Sequence, residues 1–127
     1  MIKLVIFDLD DTLIRTVEAI IAARRAVLAD WKTRYPTFSR TQAFTNWKHL
    51  FWHFRNEFHP DLLHLLLRQQ EITHHATDIE MVKEVYYKTF WKALVVNEGT
   101  SDIFTQLQNK NVLTALCSNG DAGLQQK

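Results

Sequence analysis

The chain has 127 residues, 46% of them hydrophobic and 23% charged, the balance of a single globular domain. A formal net charge of +1 gives no electrostatic ground for binding nucleic acid or an acidic membrane. No apolar run approaches the roughly 20 residues of a membrane span, and the apolar start, Ile2 to Phe7, is too short for a signal peptide.

The first element is a strand. Lys3 to Phe7 reads Lys-Leu-Val-Ile-Phe, a short run of β-formers that suits a strand buried on both faces of a parallel sheet. It stops abruptly at Asp8-Leu9-Asp10-Asp11-Thr12. A long helix follows, capped by Thr16. Its stripe is Val17, Ile20, Ile21, Arg24, Val27, Leu28 and Trp31, and Pro36 marks its end. A second helix starts near Ser39 or Thr41. Phe44, Trp47, Phe51, Phe54 and Phe58 give it one aromatic face, expected to pack into a core. Pro60 suits the first position of a third helix, with Leu62, Leu63, Leu66 and Leu67 as its apolar side. Thr77-Asp78-Ile79-Glu80 matches a capping box that opens a fourth helix carrying Val82, Val85, Tyr86, Phe90 and Leu94.

Glu98, Gly99 and Thr100 break that pattern. A short helix then places Ile103, Phe104 and Leu107 inward, and Asn111 serves as a left-handed C-cap. Val112 to Cys117 is a second apolar strand with Cys117 inside it, ending in Ser118-Asn119-Gly120-Asp121. Cys117 is the one cysteine, so no internal disulfide can form and a reducing, cytoplasmic setting is the default. The fold class is α/β. An incomplete Rossmann-like parallel sheet, residues 1–14 and 96–127, is interrupted by an all-helical insert, residues 15–95.

Open parallel sheets bind ligands outside the carboxyl ends of their strands. Here those ends carry Asp8, Asp10 and Thr12 on one strand, Ser118 and Asn119 on the other. One aspartate can attack phosphorus as a carboxylate nucleophile. The other can protonate the leaving alkoxide and later deprotonate water. Paired acids also attract a hard, oxygen-seeking cation such as Mg2+. The Ser118 hydroxyl and Asn119 amide can hydrogen-bond phosphoryl oxygens.

Ile-Phe-Asp8-Leu-Asp10-Asp11-Thr12-Leu resembles the first motif of the haloacid dehalogenase-like hydrolases, Asp-x-Asp-x-Thr after an apolar strand. Leu116-Cys117-Ser118-Asn119-Gly120 resembles their second motif, and the insert resembles the helical cap of one subclass. The resemblance implies a magnesium-dependent phosphatase working through a phosphoaspartate on a small phosphorylated metabolite. Asp8 would be nucleophile and metal ligand. Asp10 would be general acid/base, with its backbone carbonyl on the metal. Thr12 would position the loop at the phosphate, and Ser118 and Asn119 would hold the phosphoryl group. The dehalogenase members lack an acid at the position of Asp10, because a halide leaves without a proton.

The family's third-motif lysine and fourth-motif acids have no counterpart before Lys127. The expectation is therefore the N-terminal part of a longer protein or a remnant, weakly active or inactive alone. The other reading is a non-catalytic binding module, with a homo-oligomer covering the exposed sheet edge. His49 and His53 lie four apart but have no intervening Glu and no third ligand. The other histidines read as surface positions. Arg15, Arg24 and Arg25 are expected to be solvated or ion-paired.

Overall fold

Residues 2–54 and 59–118 are described by a computed structural model. In chain order they form β1 (Leu4–Asp8), α1 (Thr16–Arg34), α2 (Arg40–Phe54), α3 (Pro60–Arg68), α4 (Ala76–Ala93), α5 (Thr100–Asn109) and β2 (Leu113–Cys117). The architecture is mixed α/β, as the strand–helices–strand order implies. The chain divides into two compact units, Met1–Glu18 with Leu94–Lys127, and Ala19–Ala93.

In the first unit β1 and β2 pair in parallel, from Leu4 opposite Leu113 to Asp8 opposite Cys117. A parallel pair needs a crossover, and α5 supplies its last segment. The Phe7 and Phe104 rings meet at 5.1 Å between centroids, which seats α5 on the face that carries Val5 and Phe7. α5 closes as a Schellman turn. Asn111, at φ 51°, holds the left-handed position, Val112 N donates to Leu107 O at 3.0 Å, and Asn111 N donates to Gln108 O at 3.0 Å. Asn111 is thus the C-cap its residue type promises.

Two expectations for this unit fail. The strands are not buried on both faces: Leu4 is 48% exposed, Ile6 61% and Leu113 70%, and Cys117 is exposed as well. Within this unit α5 packs on the face that carries Phe7, and Leu4, Ile6 and Leu113 on the opposite face are exposed. Ile103 is also not inward but 47% exposed. The sheet-facing side of α5 is taken by Phe104 and Leu107, which are half-buried.

The helical unit has the larger core. Trp31, Phe38 and Trp47 are fully buried together with Leu62, Leu63, Leu66, Leu67 and Val82. Trp31 meets Phe38 edge-on at 5.5 Å and stacks on Trp47 at 6.3 Å. The aromatic face of α2 is therefore core at Trp47, with Phe44 and Phe51 packed against it. The Phe54 side chain and Phe58 lie outside the described residues. Leu62, Leu63, Leu66 and Leu67 of α3 are all buried, as their spacing implies, while Leu65 is half-buried. Pro60 occupies the first turn of α3, and His59 Nδ1 accepts from Asp61 N at 3.3 Å.

The caps differ from the local motifs. Thr16 does not take an early amide of α1. That oxygen comes from Asp11, whose Oδ1 accepts from Val17 N at 2.9 Å. Thr77 does not cap α4 either, because the helix already begins at Ala76. Asp78 instead reaches back, its Oδ2 accepting from His75 N at 2.7 Å. That amide, then the Tyr35 hydroxyl and the Arg34 guanidinium, hold the Asp78 carboxyl below its usual range. Tyr35 moves the other way: burial, then the hydrogen bond to Asp78, pushes its phenol up to about 12.

Some polar side chains are more buried than expected. Arg24 is buried, with its guanidinium 5.3 Å from the Phe51 ring and 6.0 Å from Trp47. His64 and His74 are half-buried rather than on the surface. Nδ1 of His64 faces Nε2 of His74, and His74 Nδ1 donates to Ile72 O at 3.2 Å. The carbonyl can only accept, so it fixes the proton of neutral His74 on Nδ1 and leaves Nε2 to accept from His64. This pair ties α3 to the turn that follows it. Among the described residues no helix is long and apolar enough to cross a membrane.

Candidate functional site

β1 ends at Asp8, and the chain then folds back on itself. Leu9 O accepts from Leu13 N at 3.0 Å and from Ile14 N at 3.2 Å, and Asp11 N donates to Ile14 O at 2.7 Å. The turn requires φ 58° at Asp11, a left-handed conformation that aspartate tolerates better than most residues. Within it the three acids take different partners. Thr12 Oγ1 donates to Asp8 Oδ2 at 3.0 Å. Asp10 accepts from Thr16 Oγ1 at 2.7 Å on Oδ1 and from Ser118 Oγ at 3.2 Å on Oδ2. Asp11 caps α1.

The bond between Ser118 and Asp10 spans 108 positions of sequence. It exists because the register sets Asp8 beside Cys117, so the residue that follows each strand emerges at the same edge. The structure therefore brings Asp8 together with Thr12, and Asp10 together with Ser118. Asn119 lies outside the described residues. Asp8 and Thr12 are exposed, while Asp10 and Ser118 are half-buried. Thr12 binds Asp8 directly through its hydroxyl, so it orients the carboxylate as well as the loop.

One residue that holds the acid-bearing loop escaped the motifs. Asn97 donates from Nδ2 to Thr12 O at 2.8 Å and from its backbone N–H to Leu13 O at 2.8 Å, and its Oδ1 accepts from Arg15 Nε at 3.1 Å. Arg15 N donates to Val95 O at 2.9 Å, and Ile14 bridges Val96 in antiparallel sense. A short ladder thus clamps the acid-bearing loop from a segment more than 80 residues away. The only hint in the sequence is an amide residue just before the Glu98-Gly99 break. Arg15 is also 3.7 Å from Glu18, so it is paired as expected.

Asp8 is exposed, and its Oδ1 has no protein partner among the described residues. Among those residues no three His, Cys, Asp or Glu side chains gather as a metal cluster. The donors at the strand ends are hard oxygens: a carboxylate, main-chain carbonyls and hydroxyls. That chemistry fits a hard cation which keeps part of its water shell, and it does not suit a soft one. The strand ends thus present an exposed carboxylate, an acid held by two hydroxyls and a serine hydroxyl, groups whose chemistry includes attack on an electrophile and proton transfer.

The match with known proteins now has a structural basis. The family model of haloacid dehalogenase-like hydrolases matches residues 2–127, and the chain belongs to that family of hydrolases. None of the curated proteins matches it. Among solved structures, a predicted phosphoglycolate phosphatase from Haemophilus somnus 129PT is similar, with 15% identity and a TM-score of 0.55. The likeness covers 96% of this chain and 53% of the other, so this chain spans about half the length of that structure. At such identity the likeness shows a shared fold, a partial Rossmann-like core with helices, and leaves the chemistry to the site.

Proposed function

We propose that the chain is a magnesium-dependent phosphomonoesterase in which Asp8 is the nucleophile. The observation that carries this reading is the hydrogen bond from Ser118 to Asp10. It joins the acid-rich loop to the end of the neighbouring strand at the edge where parallel sheets bind ligands. An Asp8 oxygen attacks the phosphorus of a small phosphate ester, and the P–O bond to the alcohol breaks. Asp10 gives its proton to the departing alkoxide. Water then attacks the aspartyl phosphate, Asp10 takes the proton, and phosphate leaves with Asp8 restored. An acid at this place supports ester hydrolysis over dehalogenation, since a halide needs no proton.

Thr12 holds Asp8 in place through its 3.0 Å bond. Ser118 and Asn119 are assigned to the phosphoryl oxygens. For Ser118 this means turning its hydroxyl from Asp10 to the substrate. The Asp8 carboxylate and the Asp10 main-chain carbonyl would hold Mg2+, which when bound offsets the charge of carboxylate and phosphate. The helical stretch, residues 15–95, is read as the cap that selects substrate. The similar structure's name, a predicted phosphoglycolate phosphatase, agrees with the phosphomonoester class. The family's third-motif lysine and fourth-motif acids have no match within residues 1–127.

The test uses p-nitrophenyl phosphate with and without Mg2+, and mass spectrometry for an aspartyl-phosphate adduct. Wild type should form the adduct at Asp8 only with Mg2+, and Asp8→Asn should form none. Undiminished turnover by Asp8→Asn removes Asp8 from the role. Wild type without adduct or magnesium-dependent turnover hands the site to a non-catalytic binding reading, and release of halide from a haloacid would favour dehalogenation.

A further inference from the structure

The helical unit carries a solvent-open pocket of about 410 Å³ between α1 and the start of α2, lined by Arg25, Leu28, Arg40, Thr41, Phe44 and Thr45. Its volume lies within the roughly 300–1,000 Å³ of small-ligand sites. Its electrostatics are one-sided. Among the described residues neither the Arg25 nor the Arg40 guanidinium has a carboxylate partner. The acid nearest in sequence to Arg25 on the same helix is engaged elsewhere, with Asp30 2.8 Å from Arg34. The first turn of α2 contains no acid. Phe44 lies under Arg25, with the guanidinium carbon 5.8 Å from the ring centroid, which holds the cation over the pocket. Thr45 spends its proton on Thr41 O at 3.3 Å, whereas the Thr41 hydroxyl has no partner among the described residues.

We propose that this pocket is an anion-binding site of the helical unit, for a small phosphate- or carboxylate-bearing metabolite. Two guanidinium groups present planar, forked donors that match the oxygens of such groups, and a lysine pair would not. The Thr41 hydroxyl adds a neutral donor. Leu28 and Phe44 offer an apolar wall for a short carbon body. None of these residues belongs to the strand-end site, and the proposal stands whether or not Asp8 turns over an ester. The anion has two possible sources: a second charged group of the substrate, or a separate small anion.

The ¹⁵N-labelled full chain is titrated with inorganic phosphate while the amides of Thr41, Phe44 and Thr45 are followed by NMR. Saturating shifts are expected. Arg25→Gln and Arg40→Gln, both exposed positions whose change spares the core, should each weaken binding by about tenfold, the scale of one charge-assisted hydrogen bond. Asp8→Asn should leave these shifts intact, which separates the pocket from the strand-end site. Arg68→Gln, an exposed arginine on α3, should have no effect. Absence of saturating shifts overturns the proposal, and so does binding that Arg68→Gln weakens as much as Arg40→Gln, because that is only diffuse charge attraction. The source is read by comparing phenyl phosphate with a carboxylate-bearing phosphate ester. A rise in KM for the second ester alone in Arg40→Gln assigns the anion to the substrate, and unchanged KM for both assigns it to a separate ligand.

Discussion

Asn97→Ala should loosen the acid-bearing loop without unfolding the protein. The substitution removes the bonds from Nδ2 to Thr12 O at 2.8 Å and from Arg15 Nε to Oδ1 at 3.1 Å, but keeps the backbone bond from Asn97 N to Leu13 O. Each lost bond is worth about 0.5–1.5 kcal/mol, so the local opening free energy should fall by about 1–2 kcal/mol. Hydrogen exchange reads this directly at the Leu13 and Ile14 amides, which donate to Leu9 O. Their exchange should accelerate by about 5–30-fold. Asn97→Asp keeps an acceptor for Arg15 and loses the donor to Thr12, so it should reproduce most of the acceleration. Arg15→Met should reproduce less. Unchanged exchange at both amides in Asn97→Ala would refute the clamp. Equal acceleration at Leu66 in the helical unit would also refute it, since the effect would then be global.

Other outcomes follow from the same geometry. Leu66→Ala, at a position 1% exposed in the helical core, should cost about 2–5 kcal/mol in urea unfolding, and a loss below 1 kcal/mol would mean that the core is looser than described. Asp11→Asn should be nearly neutral, because it keeps both a capping oxygen and tolerance of φ 58°. Asp11→Ala should lose about 1–2 kcal/mol of thermal stability, and equal melting of the two variants would remove Asp11 from its capping role. The Asp78 carboxyl titrates below its ordinary 3.8 in the fold, so its contribution is present above that value and lost as pH falls through the depressed one. Asp78→Asn should therefore flatten the acid limb of stability below about pH 4, as read by circular dichroism. Tyr35 is raised from 10.0 to about 12, so its contribution is complete below pH 10 and fades as pH rises toward 12. Tyr35→Phe should remove that alkaline loss, and a wild-type melting point unchanged between pH 10 and 12 would contradict it.

The sequence by itself determined the features that are local and covalent. The alternation of element types, the leucine spacing of α3 and the left-handed Asn111 depend on neighbours within a turn or two, and all are present in the fold. The Asp-x-Asp-x-Thr spacing after β1 and the Ser at the end of β2 are of the same kind, and they sufficed to identify the family. Tertiary structure decided which oxygen reaches which amide. Thr16 and Thr77 were both plausible caps, but a left-handed Asp11 accepts from Val17 N, and α4 already starts at Ala76, with Asp78 accepting from His75 N. It also decided burial. Leu4, Ile6 and Cys117 are apolar enough for an interior, yet exposure depends on whether a second layer packs over them, and no residue can encode that alone. The partners of the site were hidden for the same reason. Asn97 meets Thr12, and Ser118 meets Asp10, only because the parallel register and the short ladder bring segments 85 and 108 positions apart within hydrogen-bond reach.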